Sequence, residues 1–179
     1  VHAWFGKKHV LEDISLDFYT GTVNALIGPS GCGKSTLLRL IGGLEEPFSG
    51  EINQIGSPPS DSLNMMTYIF QDFALLPWRT VRKNIELIAE LHGISSSERT
   101  KLAQDAINLV GLTGFEEKYP RQLSGGMKMR ASLARSLVMK PEVFLFDEPF
   151  GALDEITRER LNDELLRLFQ LEGFAGLFI

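Results

Sequence analysis

The sequence Gly28-Pro29-Ser30-Gly31-Cys32-Gly33-Lys34-Ser35-Thr36 decides the fold. It fits the pattern G-x-x-x-x-G-K-[ST]. An apolar run at 23–27, which is typical of a buried strand, precedes it, and a segment whose apolar residues would share one face of a helix follows it. Glycines at this spacing let successive N–H groups surround a phosphate, while the following helix adds its positive N-terminal dipole. A strand, a glycine-rich loop and a helix in this order begin a nucleotide-binding α/β fold.

The side chains of this loop have predicted roles around ATP. We expect Lys34 to reach the β- and γ-phosphate oxygens, Ser35 to bind Mg²⁺, and Thr36 to hydrogen-bond an α-phosphate oxygen. The rest of the predicted phosphate cradle consists of Gly28, Pro29, Ser30, Gly31, Cys32 and Gly33. We interpret Cys32, the only cysteine, as a loop filler and not as a reactive thiol. The alternative for the whole loop is a glycine-rich turn that binds no ligand.

A second group of candidate residues follows the apolar run Val143-Phe144-Leu145-Phe146, which ends in Asp147 and Glu148. A buried strand would carry both carboxylates to the edge of the sheet. In a P-loop enzyme Asp147 would hold Mg²⁺ there, and Glu148 would polarise the attacking water as a general base. The alternative is a solvated loop after a core strand, but a neighbouring metal–phosphate site favours the catalytic interpretation.

The segment Leu123-Ser124-Gly125-Gly126-Met127 indicates the family that the chain resembles. Ser124 suits a helix N-cap, and the two glycines leave the helix start bare, as an anion site requires. Together with the loop at 28–36, this segment resembles the signature of ABC transporter nucleotide-binding domains, although Met127 stands where the family usually has glutamine. The resemblance implies that Ser124, Gly125 and Gly126 face the γ-phosphate held by a second subunit. Taken alone, the segment is an ordinary serine-capped helix start.

The resemblance covers nearly the whole chain and implies further roles. Gln71 resembles the glutamine that touches Mg²⁺ and senses the permease, and residues 151–154 resemble the loop that crosses the dimer interface. Phe5 resembles the aromatic residue that stacks on adenine, with Trp4 as a competing candidate. A histidine that senses the γ-phosphate in this family would fall a few residues after Ile179.

The predicted site is therefore defined by three sets of residues. The catalytic set is Glu148, Lys34 and Gln71, and the metal-binding set is Ser35, Gln71 and Asp147. The nucleotide-binding set is Phe5, the loop from Gly28 to Thr36, Ser124, Gly125 and Gly126. The implied cofactors are ATP and Mg²⁺.

The order of the predicted elements favours an α/β fold, with a P-loop NTPase core and a mostly parallel sheet. Loose alternation at 10–18 before a turn at 19–21 predicts an N-terminal β-rich part. Further strands are expected at 51–55, at 66–70, and at the C-terminal end of the chain. We expect one ABC ATPase domain over 1–179, truncated at its C-terminus.

An inserted α-helical lobe is predicted at about 77–126, because apolar residues recur there at helical spacing. Val81, Ile85, Ile88 and Leu91 form one such face, and Leu102, Ala106, Leu109 and Val110 form another. Further helices are predicted through Met139 and over 155–169.

The composition limits the partners. The 179 residues are 44% hydrophobic and 23% charged with a net charge of -5, which gives no basic footprint for nucleic acid. No apolar run approaches the roughly 20 residues that cross a bilayer, so, if the protein works at a membrane, a partner must hold it there. The resemblance implies a transmembrane permease, a second ATPase subunit, and an external solute-binding protein that acts through the permease. It places the chain peripherally on the cytoplasmic face of the cell membrane.

The chain is most similar to importer ATPases of the nitrate, sulfonate and taurine group, in the segment 73–81 and in the run 147–154. Leu75, Leu76 and Trp78 either form part of a groove for a permease helix or pack the junction between lobes. Two other functions stay open, namely a soluble ABC ATPase that does not transport and a regulatory module that does not hydrolyse ATP.

Overall fold

The computed structural model describes residues 1–5, 8–55, 62, 64–151 and 154–179, with only the backbone of Trp4, Phe5 and Lys8. The strands are β1 (Ala3–Phe5), β2 (Lys8–Leu11), β3 (Val23–Ala25), β4 (Met66–Ile69), β5 (Val143–Phe146) and β6 (Ala175–Phe178). The helices are α1 (Lys34–Ile41), α2 (Val81–Leu91), α3 (Ser96–Leu109), α4 (Gly125–Leu137) and α5 (Glu155–Glu172), with a 3-10 turn at Pro120–Gln122.

Four strands form a parallel sheet in the order β3-β6-β5-β4, and β1 pairs with β2 in a separate antiparallel hairpin. Helices connect the parallel strands, so the sheet is covered on both faces, as parallel sheets require. The α/β class, the mostly parallel sheet and the N-terminal β-rich part that the sequence predicts are confirmed.

Strand β5 divides the core between the two faces of the sheet, because successive side chains of a strand point to opposite faces. Leu145 packs with Leu38 of α1 and Leu177 of β6. On the other face, Phe144 and Phe146 meet the ring of Phe169 from α5 at centroid distances of 5.0 and 5.6 Å. The apolar run at 143–146 is therefore buried on both sides.

Helices α2, α3 and α4 pack against one another beside the sheet. Thr80 caps α2 and Ser95 caps α3, each by accepting a hydrogen bond from a backbone N–H of the first turn. The buried Asn84 accepts from the N–H of Leu76 at 2.7 Å and donates to the carbonyl of Leu76 at 3.1 Å. These bonds fix the entry into α2.

Three strand predictions need correction. The strand predicted at 10–18 ends at Leu11, because Asp13 adopts a φ of 51°, which extended backbone does not allow. Residues 51–55 form no strand and are exposed, and no strand in the described part of the chain pairs with them. The run at 23–27 forms β3, but it is an edge strand and Ile27 is 96% exposed, so the expected burial is wrong.

The helix predictions hold with smaller differences. Helix α4 ends at Leu137, two residues before the predicted end, and α5 continues past the predicted end to Glu172. Leu91 and Leu109 were expected on apolar faces but are 74% and 42% exposed. None of the helices in the described part of the chain combines the length and apolarity that a bilayer crossing needs.

The aromatic contacts of Phe169 give a stability prediction. Phe169→Ala should lower the free energy of unfolding by about 3–5 kcal/mol, because it empties a site among four packed rings. Guanidinium chloride unfolding measures the loss. The control is Leu171→Ala on the same helix, where the side chain is 83% exposed, with an expected change within about 0.5 kcal/mol. Equal losses in the two variants would contradict this account of the core.

Candidate active site

The loop between β3 and α1 is the first part of the candidate site. Its residues 28–32 are exposed, and Gly33 adopts a φ of 102° at the N-cap of α1. A Cβ at Gly33 would lie 2.9 Å from Leu11 Cδ2 and 3.1 Å from the Val10 carbonyl oxygen, so both the φ and the close approach of β2 require glycine here. The loop is thus held against the N-terminal hairpin.

The start of α1 leaves its N–H groups open to a ligand. No side chain caps the helix, so its first N–H groups are not taken by a capping group. The Lys34 ammonium donates to the carbonyls of Gly28 and Pro29, both at 3.0 Å, and so lies over the loop. Free N–H groups, a helix N-terminus and a lysine at one place suit an anion.

Asp147 connects the loop to the end of β5. The Ser35 hydroxyl donates to Asp147 Oδ1 at 3.0 Å, and the Tyr68 hydroxyl donates to Oδ2 at 2.7 Å. Burial, followed by the hydrogen bond and charge of Asp147, raises the pKa of Tyr68 far above its usual value, although Arg39 opposes this shift. The Tyr68 hydroxyl therefore stays protonated and acts as a donor.

The side chains of Gln71 and Glu148 both approach Gly151. A Cβ at Gly151 would lie 3.1 Å from Gln71 Nε2 and 3.5 Å from Glu148 Oε2. Glu148 is exposed and has a φ of 46°, in a turn closed by the N–H of Gly151 donating to the Glu148 carbonyl at 3.0 Å. A left-handed backbone at a residue that is not glycine is strained, and such strain clusters at functional sites.

The donor atoms at this place fit Mg²⁺. Ser35 and Asp147 supply one hydroxyl and one carboxylate within hydrogen-bond distance of each other, and Mg²⁺ prefers oxygen ligands. The described residues contain no cluster of three or more His, Cys, Asp or Glu that could hold a metal. Mg²⁺ typically uses one or two carboxylates together with substrate phosphates, which matches this small set.

The segment 124–126 belongs to the start of α4 and not to the phosphate loop. Ser124 caps α4 by accepting from the N–H of Met127 at 3.3 Å, and Gly126 packs against Leu161 of α5. Among the described residues, no hydrogen bond or ion pair joins Ser124, Gly125 or Gly126 to the loop at 28–36. One chain therefore brings Ser35, Gln71, Asp147 and Glu148 to one end of the sheet, and it presents the bare helix start separately.

Other predicted residues are placed only in part. The backbone of Phe5 belongs to β1, but its side chain and residues 152–153 of the predicted interface loop lie outside the described residues. Asp154 caps α5 by accepting from the N–H of Thr157 at 3.0 Å, and these bonds hold the pKa of Asp154 below its usual value. Leu75 packs against the core, while Trp78 is 71% exposed.

Two polar residues of the site were missed in the sequence. Tyr68 lies in an apolar strand, and the apolar pattern predicts only that strand, although the hydroxyl of Tyr68 three residues before Gln71 is a signal of a polar role. Arg135 donates from α4 to the carbonyls of Ala74 at 2.6 Å and Phe73 at 3.1 Å. No local pattern gives this contact, because it joins segments that are distant in the sequence.

Comparison with known proteins adds a family and several relatives. The family model described as ABC transporter matches residues 11–151. The nitrate import ATP-binding protein NrtC of Synechococcus elongatus is 44% identical over 97% of this chain and 27% of its own length. The taurine import ATP-binding protein TauB of Yersinia pestis is 43% identical over 99% of this chain and 69% of its own length.

A solved structure gives the same result for the fold. It is a dimeric, post-hydrolysis state of an ATP-binding cassette bound to ADP and Pi, with 30% sequence identity and a TM-score of 0.79. The match covers 99% of this chain and 83% of the other. Against its sequence relatives the chain is shorter, spanning 27%, 65% and 62% of the length of three of them.

The Arg135 contact predicts a change in local dynamics. Arg135→Met should speed amide exchange in the segment after Gln71 by roughly tenfold, because it removes two hydrogen bonds from a charged donor. Hydrogen exchange with mass spectrometry measures this. Lys128→Met on the same helix is the matched control and should leave that segment unchanged. If the amides of this segment exchanged at the same rate in wild type and in Arg135→Met, the Arg135 hydrogen bonds would not stabilise the segment.

Proposed function

The chain belongs to the ABC transporter family, and on that premise we propose that it is the ATP-binding and ATP-hydrolysing subunit of a membrane transporter. The observation that carries the proposal is the 3.0 Å contact between Ser35 and Asp147, which joins the end of β5 to the loop that carries Lys34. Glu148 follows directly after Asp147, and the side chains of Glu148 and Gln71 both approach Gly151. Phosphoryl transfer needs such a combination of anion site, metal ligands and base.

The phosphate loop is proposed to bind the nucleotide. Its backbone from Gly28 to Gly33, the Lys34 ammonium and the Thr36 hydroxyl would hold the phosphates, and Phe5 would stack on the adenine. Ser35, Asp147 and Gln71 would hold Mg²⁺, which neutralises charge on the transferred phosphoryl group when it is bound. The N–H groups at the start of α1 add to this neutralisation.

Glu148 is proposed as the general base. Its side chain is exposed, reaches toward Gly151 beside Gln71, and follows directly after Asp147. A carboxylate there would accept the proton of the attacking water, while Lys34 and the helix start at Ser124 of a second chain would stabilise the developing charge.

A second copy of the chain is proposed to complete the site. Among the described residues, no hydrogen bond or ion pair joins the start of α4 to the phosphate loop of its own chain, and Ser124 is exposed. We propose that this helix start faces the phosphate loop of a partner chain. The similar dimeric structure bound to ADP and Pi supports a dimer. Two chains in a head-to-tail arrangement would close on two ATP molecules and open after hydrolysis.

The wider role is proposed from the relatives. Import ATP-binding proteins for nitrate and taurine are similar over nearly the whole chain, so we propose solute import through a transmembrane permease, on the cytoplasmic face of the membrane. An external solute-binding protein would deliver the solute to the permease. The exposed Trp78, beside the half-buried Leu75 and Leu76, offers apolar surface near Gln71 for a permease helix. The helical subdomain at about 77–126 would move with it, within one ATPase domain.

Replacing the proposed base gives the first functional test. Glu148→Gln should lower the ATP turnover number by about 10²–10⁴, because it removes the proton acceptor and keeps the shape of the side chain. Steady-state phosphate release and ATP binding by calorimetry are measured, and binding should persist. Glu172→Gln, at the exposed end of α5, is the control and should keep full turnover. Native turnover by Glu148→Gln would refute the assignment.

Mixing two inactive variants tests the shared site. Lys34→Ala disables the phosphate loop, and Ser124→Arg blocks the start of α4. Each variant alone should be inactive. An equal mixture should recover activity in about one quarter of the sites, because a head-to-tail heterodimer rebuilds one intact site of two. Phosphate release after mixing measures the recovery, and a mixture as inactive as its components would exclude a site shared between chains.

A further inference from the structure

The position of Tyr68 follows from the register of the sheet. Tyr68 of β4 pairs with Leu145 of β5, and Asp147 follows Leu145 by two residues. Because side chains alternate along a strand, all three lie on the same face, which α1 covers and from which Ser35 approaches. The tyrosine is long enough to reach beyond its own strand position, and its hydroxyl lies 2.7 Å from Asp147 Oδ2.

We propose that Tyr68 is a positioning residue for the metal-binding carboxylate of Asp147. The terminal torsion of an aspartate has broad energy minima, so the carboxylate rotates easily unless both oxygens are held. Tyr68 holds Oδ2, which turns Oδ1 toward Ser35. The hydroxyl thus pre-orients Ser35 and Asp147, two of the three proposed protein ligands of Mg²⁺, and is not itself proposed as a ligand. This inference rests on the proposed Mg-ATP site.

Packing keeps the tyrosine ring in place independently of its hydroxyl. A Cβ at Gly42 would lie 3.1 Å from Tyr68 Cδ2, so the glycine at the end of α1 makes room for the ring. The ring of Phe70 lies beside it, at a centroid distance of 4.5 Å. Removal of the hydroxyl alone should therefore leave the ring and the strand where they are. Tyr68→Phe removes the hydrogen bond to Asp147 together with the contact of the hydroxyl with Arg39, so a background that lacks the Asp147 carboxylate is needed to assign the effect.

The test measures how much Mg²⁺ strengthens nucleotide binding. The dissociation constant of ATP is determined by calorimetry in EDTA and in Mg²⁺, in the Glu148→Gln background to prevent turnover. In EDTA, Tyr68→Phe should change the dissociation constant of ATP by no more than about twofold. The factor by which Mg²⁺ strengthens ATP binding should be about tenfold smaller in this variant, since partners that orient metal ligands contribute 10–100-fold to metal affinity. Electron paramagnetic resonance of Mn²⁺ in the ADP complex should give the same weakening.

A second background separates positioning from general structural damage. In Asp147→Asn the oriented carboxylate is gone, so adding Tyr68→Phe should change the Mg²⁺ enhancement no further. Tyr19→Phe, where the side chain is 71% exposed, is the control and should behave as wild type. The inference would be overturned if Mg²⁺ strengthened ATP binding as much in Tyr68→Phe as in the unsubstituted protein. It would also be overturned if Tyr68→Phe reduced this strengthening equally with Asp147 and with Asn at position 147. Absence of ATP binding in the unmodified chain would instead overturn the proposed function.

Discussion

The parallel register of the sheet is the constraint on which the site depends. Strands β4 and β5 pair from Met66 with Val143 to Ile69 with Phe146, so both end at the same level. Backbone hydrogen bonds extend the alignment beyond the ends of the strands. The N–H of Asp147 donates to the Ile69 carbonyl, and the N–H of Glu148 donates to the Ile179 carbonyl. Segments that follow parallel strands share one edge, and this edge gathers Gln71, Asp147 and Glu148.

The alternation of side chains along β5 explains how the same strand serves core and site. Phe144 and Phe146 enter the aromatic cluster around Phe169, while Leu145 and then Asp147 point to the face covered by α1. The apolar contacts of Leu38 with that face fix the helix, and the helix in turn fixes Ser35 opposite Asp147. A polar contact of 3.0 Å is therefore maintained by packing on both sides of the sheet, not by the polar groups alone.

The sequence predicts most of what local pattern controls. The loop at 28–36, the helices α1 and α5 and the strands β4, β5 and β6 all follow from spacing and apolar runs. The wrong strands at 12–18 and 51–55 have apolar residues but no partner strand, and pairing is decided by tertiary structure. Tyr68 and Arg135 escaped prediction for a related reason. Their importance lies in contacts with Asp147 and with residues 73–74, which no window of sequence contains.

Helix α4 runs from the helix start at Ser124 to Arg135, which contacts the segment after Gln71. Its first residue follows Ser124, whose proposed partner is the phosphate loop of another chain, and its last turn carries Arg135. Arg135 is bonded to the carbonyls of Phe73 and Ala74, just after Gln71. A helix of 13 residues is about 20 Å long and stiff. Under the proposed function, α4 therefore joins the segment that faces the nucleotide of a second chain to the segment near the proposed permease surface, through its own backbone and the hydrogen bonds of Arg135.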